Sequence, residues 1–349
     1  MADPHQGAPR QPVGSFALVL HAHLPYVHHA PGEHTLESRW LYEAITETYL
    51  PLLEVFDNLV RDGVPFRATI GLTPTLCAML TDPELQESYV RHVRQSRELA
   101  EREIERTRRE APEFGDLAHF YRDLFERSLN RFEGYGRNLV DAFGRLQRQG
   151  SLELMASAAT HGFLPLMEGA KGAAAAQIRL GVDDYRHRFG CDPKGFWLPE
   201  CGFRPGDDRI LADCGVRYII LDTHGLLHAQ PRPLDANYAP VYTPAGVAAF
   251  GRDEDTSKQV WSADEGYPGD PCYREFYRDI GYDLPWEQVA PYLGTDFRHQ
   301  TGIKYHRITG RVGAGDQHKQ HKERYDLKAA IDRAAEHAGN FMFNRERQI

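Results

Sequence analysis

The 349-residue sequence lacks the features that announce a membrane, secreted or nucleic-acid-binding protein. No run approaches the roughly 18 consecutive apolar residues of a membrane-spanning helix. The opening MADPHQGAPRQPVG is polar and rich in Pro and Gly, without the basic and apolar regions of a signal peptide. Cysteine is scarce: Cys77, Cys191, Cys201, Cys214 and Cys272 are scattered with no C-x-x-C pair, which excludes zinc-finger spacing and suggests reduced thiols. Cations do not dominate, since 41 Lys and Arg stand against 50 Asp and Glu for a net charge of -9. No basic footprint for nucleic acid remains. No G-x-G-x-x-G or Walker loop follows any apolar run, so neither a dinucleotide nor a P-loop site is expected. These absences predict a cytoplasmic protein with a neutral partner, no membrane or nucleic-acid contact, and a disordered tail over residues 1–14.

What is present suffices for a full core, with 41% hydrophobic and 11% aromatic residues. Six short apolar runs start near Ser15, Phe66, Leu152, Lys194, Tyr218 and Val247, and five of them end in a His or an acidic residue. Helical periodicity separates them, as in Trp40–Leu59 and Ala173–Arg188. That alternation predicts an α/β fold, a parallel barrel whose polar strand ends converge on one pocket. Residues 82–149 break the rhythm with Arg- and Glu-rich helices, read as an inserted helical subdomain whose charges form a solvated face. Beyond the last run, the Gly- and Pro-broken stretch Val260–Asp279 reads as a lid or substrate wall, with Trp261, Tyr267, Tyr273, Phe276 and Tyr277 able to stack on sugars. Lys304–Gly310 alternates like a strand, and Asp326–Asn340 reads as a last helix.

The candidate site follows from the strand ends. Glu200 stands just past the run Lys194–Leu198, in GFWLPECGF. A plainer role is to accept N–H bonds from a helix starting near Pro205. His21 and His23, two residues apart after Ser15–Leu20, point to one side if the strand persists through them. His161 follows the Leu152 run, and Asp222 and His224 follow Tyr218–Leu221. Three chemistries fit such a pocket. Retaining glycosyl transfer needs one carboxylate to attack and a second, about 5–5.5 Å away, to protonate the leaving oxygen. Histidines with a carboxylate could instead hold zinc, as in a metal-dependent carbohydrate esterase or mannosidase. The third reading is a glucan-binding module without chemistry.

HAHLPY (His21–Tyr26), GSLELMASAATHGFLP (Gly150–Pro165) and GFWLPECGF (Gly195–Phe203) resemble three signature regions of glycoside hydrolase family 57. The likeness extends to WLYEAITETYLPLL, to the Val260 segment and to KYHRITG, and runs from about Phe16 to the C-terminus. It implies a (β/α)7 barrel with a helical insertion and no metal or organic cofactor. It makes Glu200 the nucleophile of α-1,4-glucan branching in glycogen-type metabolism, with His21, His23 and His161 lining the donor-sugar subsite. Trp40 and Trp261 would contact sugar, and α-glucan would be the partner. Glucanotransferase and amylase activities occur in the same family, and acceptor choice would depend on loops such as Pro231–Pro240, with Tyr238. The family's fourth region carries an Asp general acid downstream of a helix like Asp326–Asn340, and no such segment precedes Ile349. The chain is therefore expected to be a fragment or a shortened relative, its barrel incomplete at the C-terminal end. Asp222 and Asp253 are the in-chain substitutes.

Overall fold

Burial of both faces forces the apolar runs into the centre of a parallel sheet. The computed structural model describes residues 14–28, 36–167, 169–170, 172–309 and 322–349. Parallel pairing joins β1 (Val19–Ala22), β2 (Ala68–Leu72), β3 (Leu152–Ser157), β4 (Gly195–Trp197) and β5 (Tyr218–Leu221) in chain order. Next come β6 (Val241–Tyr242) and β7 (Ala248–Gly251): β7 pairs in parallel with β5, and β6 lies antiparallel on its outer edge. The six expected runs are thus the six parallel strands, though β1 starts at Val19 and not near Ser15. The two-residue β6 is too short to have a periodicity in the sequence. The fold is α/β of the (β/α)7 kind, and among the described residues β1 and β6 do not pair, so the sheet stays open between them.

Helices α1 (Leu36–Ala44) and α2 (Leu50–Arg61) follow one another through a π turn at Ile45–Tyr49. After β2 come α3 (Pro74–Leu80), α4 (Pro83–Glu110), α5 (Gly115–Gly134) and α6 (Leu139–Arg148). Asp82 caps α4 by accepting from the N–H groups of Glu84 and Leu85, and Pro83 fits the first turn. Every third or fourth residue of α4, from Leu85 through Tyr89, Val93 and Leu99 to Glu103, is buried, and α5 packs along that stripe. Glu103 is buried with a two-pronged bond from Arg106 (2.8 and 2.7 Å) and a third from the Tyr305 hydroxyl (3.0 Å). That triad fastens the α4–α5 hairpin to the chain far downstream. By contrast α6 packs against β3, α2, α3 and α7 (Ala173–Phe189), so it belongs with the helices around the sheet.

The remaining helices are α8 (Asp207–Asp213), α9 (Thr223–Leu227), α10 (Glu254–Trp261), α11 (Ile280–Asp283), α12 (Trp286–Leu293) and α13 (Leu327–Gln348). Lys304–Gly310 does not form the expected strand. Its described residues make isolated bridges, Arg274 to Arg307 and His306 to Arg324, because Tyr305 turns into the core to reach Glu103; residue 310 lies outside the described residues, as does the expected tail up to residue 13. The segment expected as a lid is tied down by α13. His337 bonds the Tyr273 hydroxyl at 2.8 Å and stacks on Tyr267 at 4.3 Å, and Arg333 donates to Asp270 at 2.8 Å. Tyr267 and Tyr273 are therefore packing residues. The last turns of α13 contact the segments before β1 and after β7, with Phe341 against Phe16 and Gln348 donating to Asp253 (2.5 Å).

One close approach sets the geometry of the strand end that matters most. Gly181 of α7 lies against the Ser157 carbonyl at the end of β3, where a Cβ would collide with the oxygen. Gly181→Ala should therefore destabilise the fold by roughly 1–3 kcal/mol, the usual cost of overpacking. A denaturation midpoint equal to that of the wild type would mean that the helix can back away from the strand.

Candidate active site

Glu200 is presented by backbone strain. After β4, residues Pro199–Cys201 form a single tight turn in which Glu200 (φ 51°) and Cys201 (φ 54°) are both left-handed. Side-chain-bearing residues pay roughly 1–2 kcal/mol each for that conformation. The turn is held by the Cys201 N–H on the Leu198 carbonyl (2.8 Å) and the Gly202 N–H on Pro199 (3.0 Å). Its effect is to lift the Glu200 side chain, 76% exposed, above the end of the sheet. The plainer helix-capping role is not taken by Glu200, since the N-cap of α8 is Gly206 and no side chain caps it.

Beneath Glu200 the strand ends converge as the sequence suggests. His21 in β1, His23 just beyond it and His161 after β3 form a stack of imidazoles. His23 and His161 have ring centroids 3.8 Å apart, His21 and His161 5.0 Å, and His21 rests on Trp197 at 4.3 Å and 10°. Gly71, opposite His21 in the register of β2, makes room for that ring, since a Cβ would come within 2.7 Å of Nδ1. His161, itself left-handed (φ 55°), brings Nε2 to 3.8 Å from Glu200 Oε1. The rings lie face to face, so their lone pairs do not aim at one point, and among the described residues no group of His, Cys, Asp or Glu is arranged to hold a metal ion. That stacking is unlike the zinc set weighed from the sequence.

Charge is excluded from the stack. Burial, then the neighbouring His161 and His23, push His21 down to about 3. Burial and then His23 push His161 down to about 4. His23 is lowered by burial against the opposing pull of Glu200. All three imidazoles are neutral near pH 7. The Ser157 hydroxyl donates to the Trp197 carbonyl (2.9 Å), so it accepts from His161 Nδ1 (3.2 Å) and fixes that tautomer. His161 Nε2 then carries a lone pair toward the pocket. His21 has no hydrogen-bond partner on either ring nitrogen among the described residues. Both of these nitrogens are buried, so the groups a hydroxyl-rich ligand could reach are the exposed Glu200 carboxylate and the half-buried His23.

The other predicted residues lie farther out. Asp222 begins α9 at the rim, half exposed, 3.6 Å from Arg252 and 3.8 Å from His224. Arg252 also reaches the Cys201 thiol, which links this pair to the Glu200 turn. Trp40 on α1 and Trp261 at the end of α10 are exposed, Trp261 by 84%, and neither ring is part of the stack. Sequence reasoning missed Ser157, Trp197, Gly71 and Arg252 as site residues. Trp197 and Arg252 each flank a residue already noted, and that adjacency was the available signal; Gly71 is explained only by the register.

These shifts have a pH consequence with a definite sign. Unfolded histidines titrate near 6.5, so below that pH the unfolded chain binds protons that folded His21 and His161 refuse. Their contribution to stability is full above pH 6.5 and is lost as the pH falls towards 4. Thermal denaturation between about pH 7 and 4 should show a steeper decline for the wild type than for His161→Asn. Equal slopes would refute the neutral stack.

Comparison with known proteins agrees with this architecture. The sequence profile described as Glycosyl hydrolase family 57 matches residues 17–305. The chain is 32% identical to a 1,4-alpha-glucan branching enzyme of Thermococcus kodakarensis, over 96% of this chain and 50% of that one. It is 31% identical to a probable 1,4-alpha-glucan branching enzyme of Mycobacterium tuberculosis, over 94% of this chain and 59% of that one. Among solved structures it resembles an alpha-amylase from Thermotoga maritima with a TM-score of 0.88 and 46% identity, covering 96% of this chain and 63% of that one. It resembles the Thermococcus branching enzyme with a TM-score of 0.79 and 32% identity, covering 96% and 60%. The chain spans about half the length of the Thermococcus relative. With the profile matched across most of its length, the chain belongs to glycoside hydrolase family 57.

Proposed function

We propose that this chain carries the donor half of a retaining α-1,4-glucan branching site, acting on amylose-like chains. The observation that supports it is a carboxylate on a left-handed turn, 3.8 Å from a neutral, buried histidine. In this reading Glu200 attacks C1 of the donor sugar, the bond to the leaving oxygen breaks, and a glucosyl ester forms. The 6-hydroxyl of an acceptor glucan then attacks C1, returns its proton to the carboxylate that protonated the leaving oxygen, and frees Glu200 as the C1 ester bond breaks. His21, His23 and His161 line the donor sugar's subsite, with His21 packed behind the other two, and the exposed Trp40 and Trp261 offer flat faces to the glucan.

The leaving oxygen needs a proton. Asp253 is a poor source: burial would raise its carboxyl, but the N–H of Thr256, the amide of Gln348 and the charge of Arg345 outweigh that and hold it below the usual range. Asp222, half exposed at the rim and linked through Arg252 to the turn that carries Glu200, is the in-chain candidate that remains. A second reading, hydrolysis with water as acceptor, is favoured by the 46% identity to the Thermotoga alpha-amylase.

Proton NMR of amylose incubated with the protein separates these readings. Branching gives new α-1,6 signals, hydrolysis gives reducing ends without them, and Glu200→Gln should lower either by at least about 10³-fold. Product formation undiminished in Glu200→Gln would remove it from the nucleophile's role. If Asp222 supplies the proton, Asp222→Asn should cost about 10²- to 10⁴-fold. Unchanged turnover in that variant would exclude Asp222 as the proton source.

A further inference from the structure

The imidazole stack opens sideways as well as upward. A cleft of about 920 Å³ runs from His23 between α3 and α7, down the outside of the sheet. That is near the top of the range of about 300–1,000 Å³ for small-ligand sites. Helix α7 has its core face at Ile178, Gly181, Val182 and Tyr185, and shows the cleft a second face with Leu180, Asp183 and His187 at helical spacing. Tyr26 lines the cleft on the α3 side, and Thr160 joins the α7 side, its hydroxyl accepting from Gln177 (2.8 Å). Tyr26 is 58% and Leu180 59% exposed, apolar surfaces left in water on the two walls of one groove.

The wall chemistry selects an occupant. An exposed phenol ring and a Leu can cover the apolar face of a pyranose, while a hydroxyl, an imidazole and a carboxylate can bond its hydroxyls. Arg188 does not make the cleft an anion site, because its guanidinium is engaged by Asp184 (2.8 Å) and Thr81 (3.3 Å). The carboxylate of Asp183 also stands against a phosphorylated or acidic ligand. His23 belongs both to this groove and to the stack under Glu200, so one linear molecule can occupy both.

Resting on the α-glucan reading above, we propose that the α3–α7 cleft is a track for the donor glucan beyond the sugar held at Glu200, and that it makes the protein favour longer chains. Calorimetric affinities for maltotriose and maltoheptaose test it, measured on the wild type, Tyr26→Ala and Leu180→Asp, with melting temperatures confirming that the variants fold. The wild type should bind maltoheptaose about tenfold more tightly than maltotriose, the scale of one good stacking contact. Each variant should bring that ratio close to one. A ratio unchanged in both variants, with binding intact, overturns the cleft alone. Absence of binding at every chain length overturns both the cleft and the α-glucan reading.

Discussion

Desolvation of the three imidazoles is the constraint on which the site depends. An imidazole in water at neutral pH is partly protonated, and two protonated rings at 3.8 Å would repel each other strongly. Burial removes that possibility by making the charged form costly, so His21, His23 and His161 can stack like uncharged aromatics. The parallel sheet supplies the burial. Strands β1, β3 and β4 bring the rings and Trp197 to one level, and the Cβ-less Gly71 and Gly181 let ring and helix approach the strand ends.

The architecture around that site is fastened by polar contacts between segments distant in sequence. Glu103 with Arg106 and Tyr305 ties the α4–α5 hairpin to the chain two hundred residues downstream. His337 and Arg333 tie the aromatic segment after α10 to α13, and Arg345 and Gln348 bring the end of α13 to Asp253. These contacts are buried or half-buried, and those to Glu103, Asp270 and Asp253 involve a carboxylate, so removing one partner strands the other in a poorly solvated place. Asp253 shows how such a tie removes a residue from chemistry. A carboxylate fully occupied in holding a helix end has no proton to give at neutral pH.

Local periodicity made the six parallel strands and the His–Glu strand ends legible in the sequence, because each depends on a short apolar run ending in a polar residue. Long-range contacts were not legible. The strand expected at Lys304–Gly310 failed because Tyr305 is recruited by Glu103, about two hundred residues away, and no window of sequence contains both. The segment Val260–Asp279, expected as a lid or substrate wall, is packed by His337 of α13, another contact that no window of sequence contains. Left-handed residues were equally invisible. Glu200, Cys201 and His161 are not glycines, and nothing in their identity announces a positive φ. Strain of that kind is held in place by tertiary structure, so sequence reasoning fails first where the candidate chemistry lies.

Strain and neutrality at Glu200 and His161 belong together. The turn aims a carboxylate at an imidazole whose proton is committed to Ser157, so two hydrogen-bond acceptors face each other at 3.8 Å. Neither can donate to the other, and a hydroxyl donor between them would satisfy both. Protonating His161 would exchange this arrangement for an ion pair with Glu200. On the proposed reading of Glu200 as nucleophile, a neutral imidazole leaves the carboxylate without an ion-pair partner in His161 and the gap open to a ligand hydroxyl. Burial of His161, with its side chain 4% exposed, thus serves the glutamate above it as much as the core below.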